Sequence, residues 1–94
     1  AIIKRVAEDT GVTLDELAVS GFLAFLREKR RKIMLGRLDV LTRYDANSAE
    51  DIEKKIKDGE IPEHPVWEDI IYLENLESAI IRIDEDIKAI QESS

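Results

Sequence analysis

Ninety-four residues and 10.7 kDa suffice for one small domain or one unit of an oligomer, not for two independent cores. Hydrophobic residues at 44% and charged residues at 37% exclude a disordered tail, and no run approaches the ~20 apolar residues of a membrane span. The absence of cysteine excludes disulfide staples, zinc ribbons and thiol catalysis, and the length leaves little room for repeated βαβ crossovers.

Apolar residues at Ile2, Ile3 and Val6 predict a short helix over 2–9 that stops at Gly11. Thr13-Leu14-Asp15-Glu16 then matches a capping box, with Thr13 at the N-cap and Glu16 reaching back to its amide. No proline interrupts the chain from there to Tyr44, which predicts one long helix. Its first half carries an apolar face of Leu14, Leu17, Ala18, Phe22, Phe25 and Leu26, widened by Leu23. A basic waist follows at Arg27, Lys29, Arg30, Arg31 and Lys32, with Glu28 among them. Apolar spacing resumes at Ile33, Met34, Leu38, Leu41 and Tyr44.

Asp45-Ala46-Asn47 is a turn, and Ser48 with Asp51 resembles a second cap. It introduces a short helix over 49–58 stopped by Gly59. The stretch 60–65, with Pro62 and Pro65, is expected to be extended, because each proline disfavours helix at the residue before it. Pro65 suits the first position of the next helix. That helix, 66 to about 92, carries Val66, Asp69, Leu73, Leu76, Ile80, Ile83, Ile87 and Ile90 at alternating spacings of three and four. Seven of the eight are Ile, Leu or Val, so the 3.5-residue period of a coiled-coil seam is present. Trp67, Ile70, Ile71, Tyr72 and Ile81 widen the stripe beyond what one neighbouring helix covers. The expectation is an all-α single domain, a helical hairpin or bundle whose long last helix folds back antiparallel and meets a second chain. The residues assigned to that dimer or partner interface are Trp67, Ile70, Leu73, Leu76, Ile80, Ile83, Ile87 and Ile90.

Charge divides along this chain. Residues 1–44 hold nine Lys or Arg against six acids, and residues 45–94 hold five against fifteen, so the net −7 combines +3 with −10. A basic half suits phosphates and an acidic half suits a basic protein, unless the two halves neutralise one another. The waist residues Arg27, Lys29, Arg30, Arg31 and Lys32 are the candidates for anion or nucleic-acid contact.

Converging catalytic groups are not evident, and an enzyme is not expected. The four glycines are isolated, so there is no phosphate loop. His64 is the one histidine and suits a pH-sensitive contact. A metal site built on it with Glu63 or Glu68 lacks a second nitrogen ligand. The acids Glu50, Asp51 and Glu53, and Asp84, Glu85 and Asp86, read as solvated helix faces; neither metal nor cofactor is expected.

Two stretches resemble known proteins. Gly59-Glu60-Ile61-Pro62-Glu63-His64-Pro65-Val66-Trp67-Glu68-Asp69-Ile70, continuing through Tyr72-Leu73-Glu74-Asn75-Leu76-Glu77, is similar to the C-terminal region of small prokaryotic antitoxin-like proteins of type II toxin–antitoxin modules. Val12-Thr13-Leu14-Asp15-Glu16-Leu17, with Phe22-Leu23-Ala24-Phe25-Leu26, resembles the helix pair of ribbon-helix-helix repressors. The resemblance implies a small cytoplasmic homodimer whose acidic C-terminal half masks a basic RNase toxin. The alternatives are a nucleic-acid-binding regulator using 27–32 and a structural protein that only oligomerises.

Overall fold

The computed structural model describes residues 1–63 and 66–93. His64 and Pro65, and with them the expected pH-sensitive contact and helix-initiating proline, lie outside the described residues. Four α-helices and no strands are present among the described residues: α1 (Ile2–Thr10), α2 (Leu14–Arg43), α3 (Ala49–Lys57) and α4 (Val66–Ser93).

The ends of these helices follow from local chemistry. Gly11 closes α1 in the left-handed region at φ 74°, where a residue with a Cβ is strained. The Thr13 side chain accepts from the Glu16 amide at 3.0 Å while the Glu16 carboxylate accepts from the Thr13 amide at 3.3 Å. Thr13→Ala removes this box and is expected to cost about 1 kcal/mol, or about 4–8 °C in melting temperature by circular dichroism. Ser48 caps α3 by accepting from the Asp51 amide at 3.1 Å. The Asp51 carboxylate reaches past the cap to the amide of Asn47 at 3.0 Å.

Helix α4 folds back antiparallel along α2. Arg43 with Asp69, Arg37 with Glu77 and Arg30 with Asp84 pair in reverse order along the two helices, at 3.7, 3.6 and 2.7 Å. Helix α3 packs against α4 near the closed end of this hairpin, and α1 packs against α2. The core lies where three helices meet: Val40 and Leu41 of α2, Ala49 and Ile52 of α3, and Val66, Ile70 and Leu73 of α4. Tyr44, Ala46, Ile56 and Ile61 pack around it. Elsewhere among the described residues only Ala7 and Ile83 are buried.

The result is a rod of 62 × 22 × 16 Å with a radius of gyration of 19.4 Å. A compact chain of this length has a radius of gyration of about 12 Å. No helix among the described residues is long and apolar enough to cross a membrane.

Candidate partner-binding surfaces

The apolar stripe of α4 is occupied largely by the chain itself. Ile70, Leu73 and Ile83 are buried, and Leu76, Ile80, Ile87 and Ile90 are half-buried along the α2 side of the hairpin. Their counterparts on α2 are Leu23, Leu26, Arg30, Ile33, Arg37 and Val40, spaced at three and four residues and all half-buried or buried. Asp69, the polar member of the stripe, accepts a hydrogen bond from the Tyr44 hydroxyl and pairs with Arg43. That acceptor, with desolvation and the nearby negative charge of Asp69, raises the Tyr44 pKa, while Arg43 partly opposes the shift. The ammonium of Lys55 donates to the carbonyls of Tyr44 and Asp45 at 3.2 and 2.6 Å, closing the C-terminal end of α2. Trp67 keeps 38% of its surface exposed, and its indole N–H donates to Glu63 at 3.1 Å. What α4 leaves exposed lies on its flanks: Trp67, Ile71, Tyr72 and Ile81.

The basic waist is partly neutralised within the chain. Arg30 grips Asp84 through Nε at 2.7 Å and Nη2 at 3.4 Å. Arg31 grips Glu28 through two contacts at 2.9 and 2.7 Å. The hydrogen bond from Arg31 holds the Glu28 carboxyl below its ordinary range, helped by the charges of Arg31 and Lys32. The same two pairs raise the pKa of Arg30 and Arg31. Arg27 and Lys29 have no such partner among the described residues and face solvent. Three of the pairs run from the basic half to the acidic half, so packing and charge division serve one another.

An acidic groove opens between α3 and α4. Ala49, Glu50, Glu53, Glu74, Glu77 and Ser78 line about 470 Å³ of open space. Glu77 has Arg37 as a counter-ion, whereas Glu50, Glu53 and Glu74 have none among the described residues. No group of three or more His, Asp or Glu among the described residues is placed to hold a metal ion. The groove thus presents negative potential to solvent without ligating geometry.

At the open end of the rod the apolar face expected on α2 is divided between packed and exposed positions. Leu17 and Leu26 do turn inward, but Leu14, Ala18, Phe22 and Phe25 are exposed, Phe22 by 61% and Phe25 by 66%. The reason is register: α4 lies along the row through Leu23 and Leu26 and ends at Ser93, beside Ser20. On α1, Ile2, Ile3 and Val6 are likewise exposed, and Ala7 is its buried contact. The available signal was breadth, since α2 has more apolar positions in this half than one neighbour can cover.

The chain matches the family described as "Uncharacterized protein MJ0235 family" over residues 2–94. It belongs to that family. No curated protein and no solved structure matches it.

Proposed function

We propose that this member of the MJ0235 family is a non-enzymatic partner-binding protein of the antitoxin kind, acting as a coiled-coil-like homodimer that covers a basic protein with its acidic half. The observation that carries this reading is the set of three glutamates without counter-ions, Glu50, Glu53 and Glu74, around the groove between α3 and α4. Carboxylates held side by side with no cation among them raise the local potential and select a positively charged surface. Lys54 and Lys57, four residues after Glu50 and Glu53 on α3, form no ion pair with them among the described residues, and Arg37 and Arg43 are engaged with Glu77 and with Asp69 and Asp39.

The test is co-purification, at low salt, of the tagged chain with the products of its adjacent genes, among which a basic protein is expected. Binding is expected to weaken steeply with added salt and to disappear in the Glu50→Lys/Glu53→Lys/Glu74→Lys variant. No binding, or binding that the triple reversal leaves unchanged, overturns this reading.

A second reading rests on Arg27 and Lys29, which remain unpaired on the waist beside Lys32. A nucleic-acid regulator would use these cations against phosphates. Duplex DNA binding with a steep salt slope, abolished by Arg27→Glu/Lys29→Glu, supports it; no binding at low salt removes it.

A further inference from the structure

We propose that the second copy of the chain seats on the exposed apolar face at the α1–α2 end, with Phe22 and Phe25 at the centre and the two α2 helices antiparallel. This rests on the homodimer reading and assigns it a surface away from the α4 stripe. Leu14, Ala18, Phe22 and Phe25 follow one another at spacings of four, four and three, so they form one strip along α2. Ile2, Ile3 and Val6 add an exposed apolar patch on the neighbouring α1. Within one chain α4 packs on the neighbouring row through Leu23 and Leu26, and Ala7 is the buried residue of α1, so both groups of side chains remain in water.

One chain exposes 6948 Å², whereas a compact protein of 10.7 kDa exposes about 5,500 Å², an excess spread along the whole rod. At the α1–α2 end the exposed part is strongly apolar: Phe22 is 61% and Phe25 66% exposed, with Leu14 at 51% beside them on α2 and Ile2 at 73% and Ile3 at 64% on α1. Large apolar side chains exposed together mark an interaction site.

The strip is also complementary to itself, as a two-fold interface requires. When α2 crosses its copy between Phe22 and Phe25, Phe22 of one chain meets Phe25 of the other. The same register sets Lys29 over the small side chain of Ala18 and Lys32 over Asp15. Both halves of each contact are present in every copy, and neither Lys32 nor Asp15 forms an ion pair within 4.0 Å among the described residues. The net charge of −7 per chain opposes association only weakly, because separations beyond about 8 Å are screened at physiological ionic strength.

Light scattering of the full chain provides the test. The wild type is expected to have the mass of a dimer. Phe22→Asp/Phe25→Asp is expected to raise the dissociation constant by ~100-fold or more while leaving helicity unchanged, because both side chains are exposed in the single chain. Since the chain has no cysteine, Asp15→Cys/Lys32→Cys with a short bismaleimide reports the register directly. A covalent dimer supports the antiparallel pairing, and these two positions lie about 25 Å apart along one helix, which excludes closure within a chain. A monomeric wild type overturns the homodimer reading itself. A dimer that survives the Phe22/Phe25 variant, or that gives no cross-link, leaves that reading standing and overturns this surface.

Discussion

Leu73→Ala is expected to cost about 2–5 kcal/mol and to lower the melting temperature by about 10–30 °C, with the midpoint read by circular dichroism or calorimetry. Leu73 is fully buried where α2, α3 and α4 meet, together with Val40, Ile52 and Ile70. Removing its branched methyls leaves a cavity in a cluster of seven buried residues, and the helices cannot close it without breaking the Arg37–Glu77 and Arg43–Asp69 pairs on either side. Domains of this size have about 5–15 kcal/mol in total, so one truncation removes a large share. Ile81→Ala, on the same helix but 60% exposed, is expected to change stability by less than about 0.5 kcal/mol. Equal losses at the two positions would mean that α4 is packed some other way round.

The second large effect concerns Tyr44 and Asp69. Asp69→Ala is expected to cost about 1–3 kcal/mol, because it strands a half-buried hydroxyl and leaves Arg43 with Asp39 alone. Tyr44→Phe combined with Asp69→Leu removes donor and acceptor together and places an apolar residue on an apolar stripe. The double variant is therefore expected to be nearly as stable as the wild type, a non-additivity that a double-mutant cycle in denaturant measures. The contact also has a pH signature. The folded state raises the Tyr44 pKa above its ordinary 10.0, so the contribution is complete below about pH 10 and is lost as pH climbs through the folded value. Tyr44→Phe is expected to flatten the alkaline loss of stability; an identical alkaline profile in the variant would show that the hydroxyl contributes nothing.

The helices were legible in the sequence because their signals are local. Gly11, Thr13 with Glu16, and Ser48 with Asp51 act within one turn, and each does in the structure what its spacing predicts. The period of α4 was equally clear, as was its length. What a 3.5-residue period cannot encode is whose helix lies opposite. The answering row on α2 is disguised by Arg30 and Arg37, which occupy apolar positions with their aliphatic stems and send their heads to Asp84 and Glu77. Of the basic waist only Arg30 joins that row; Arg27, Lys29, Arg31 and Lys32 stay exposed. Without that row, nothing in the sequence ranks Phe22 and Phe25 behind Leu23 and Leu26 on the apolar face.

The closed end of the rod sets an order of assembly. Tyr44 and Asp69 are 25 residues apart in the chain, and Arg30 and Asp84 are 54 apart. Closing the longer loop first costs only about 0.6 kcal/mol more in chain entropy, but it forms no buried cluster to hold it shut. The shorter loop brings Val40, Ile52 and Leu73 together at once. Folding therefore zips from α3 toward the far tips of α2 and α4, and breathing runs the other way. In a single chain the tips of α2 and α4 are the last to lock and the first to exchange their amide hydrogens with solvent.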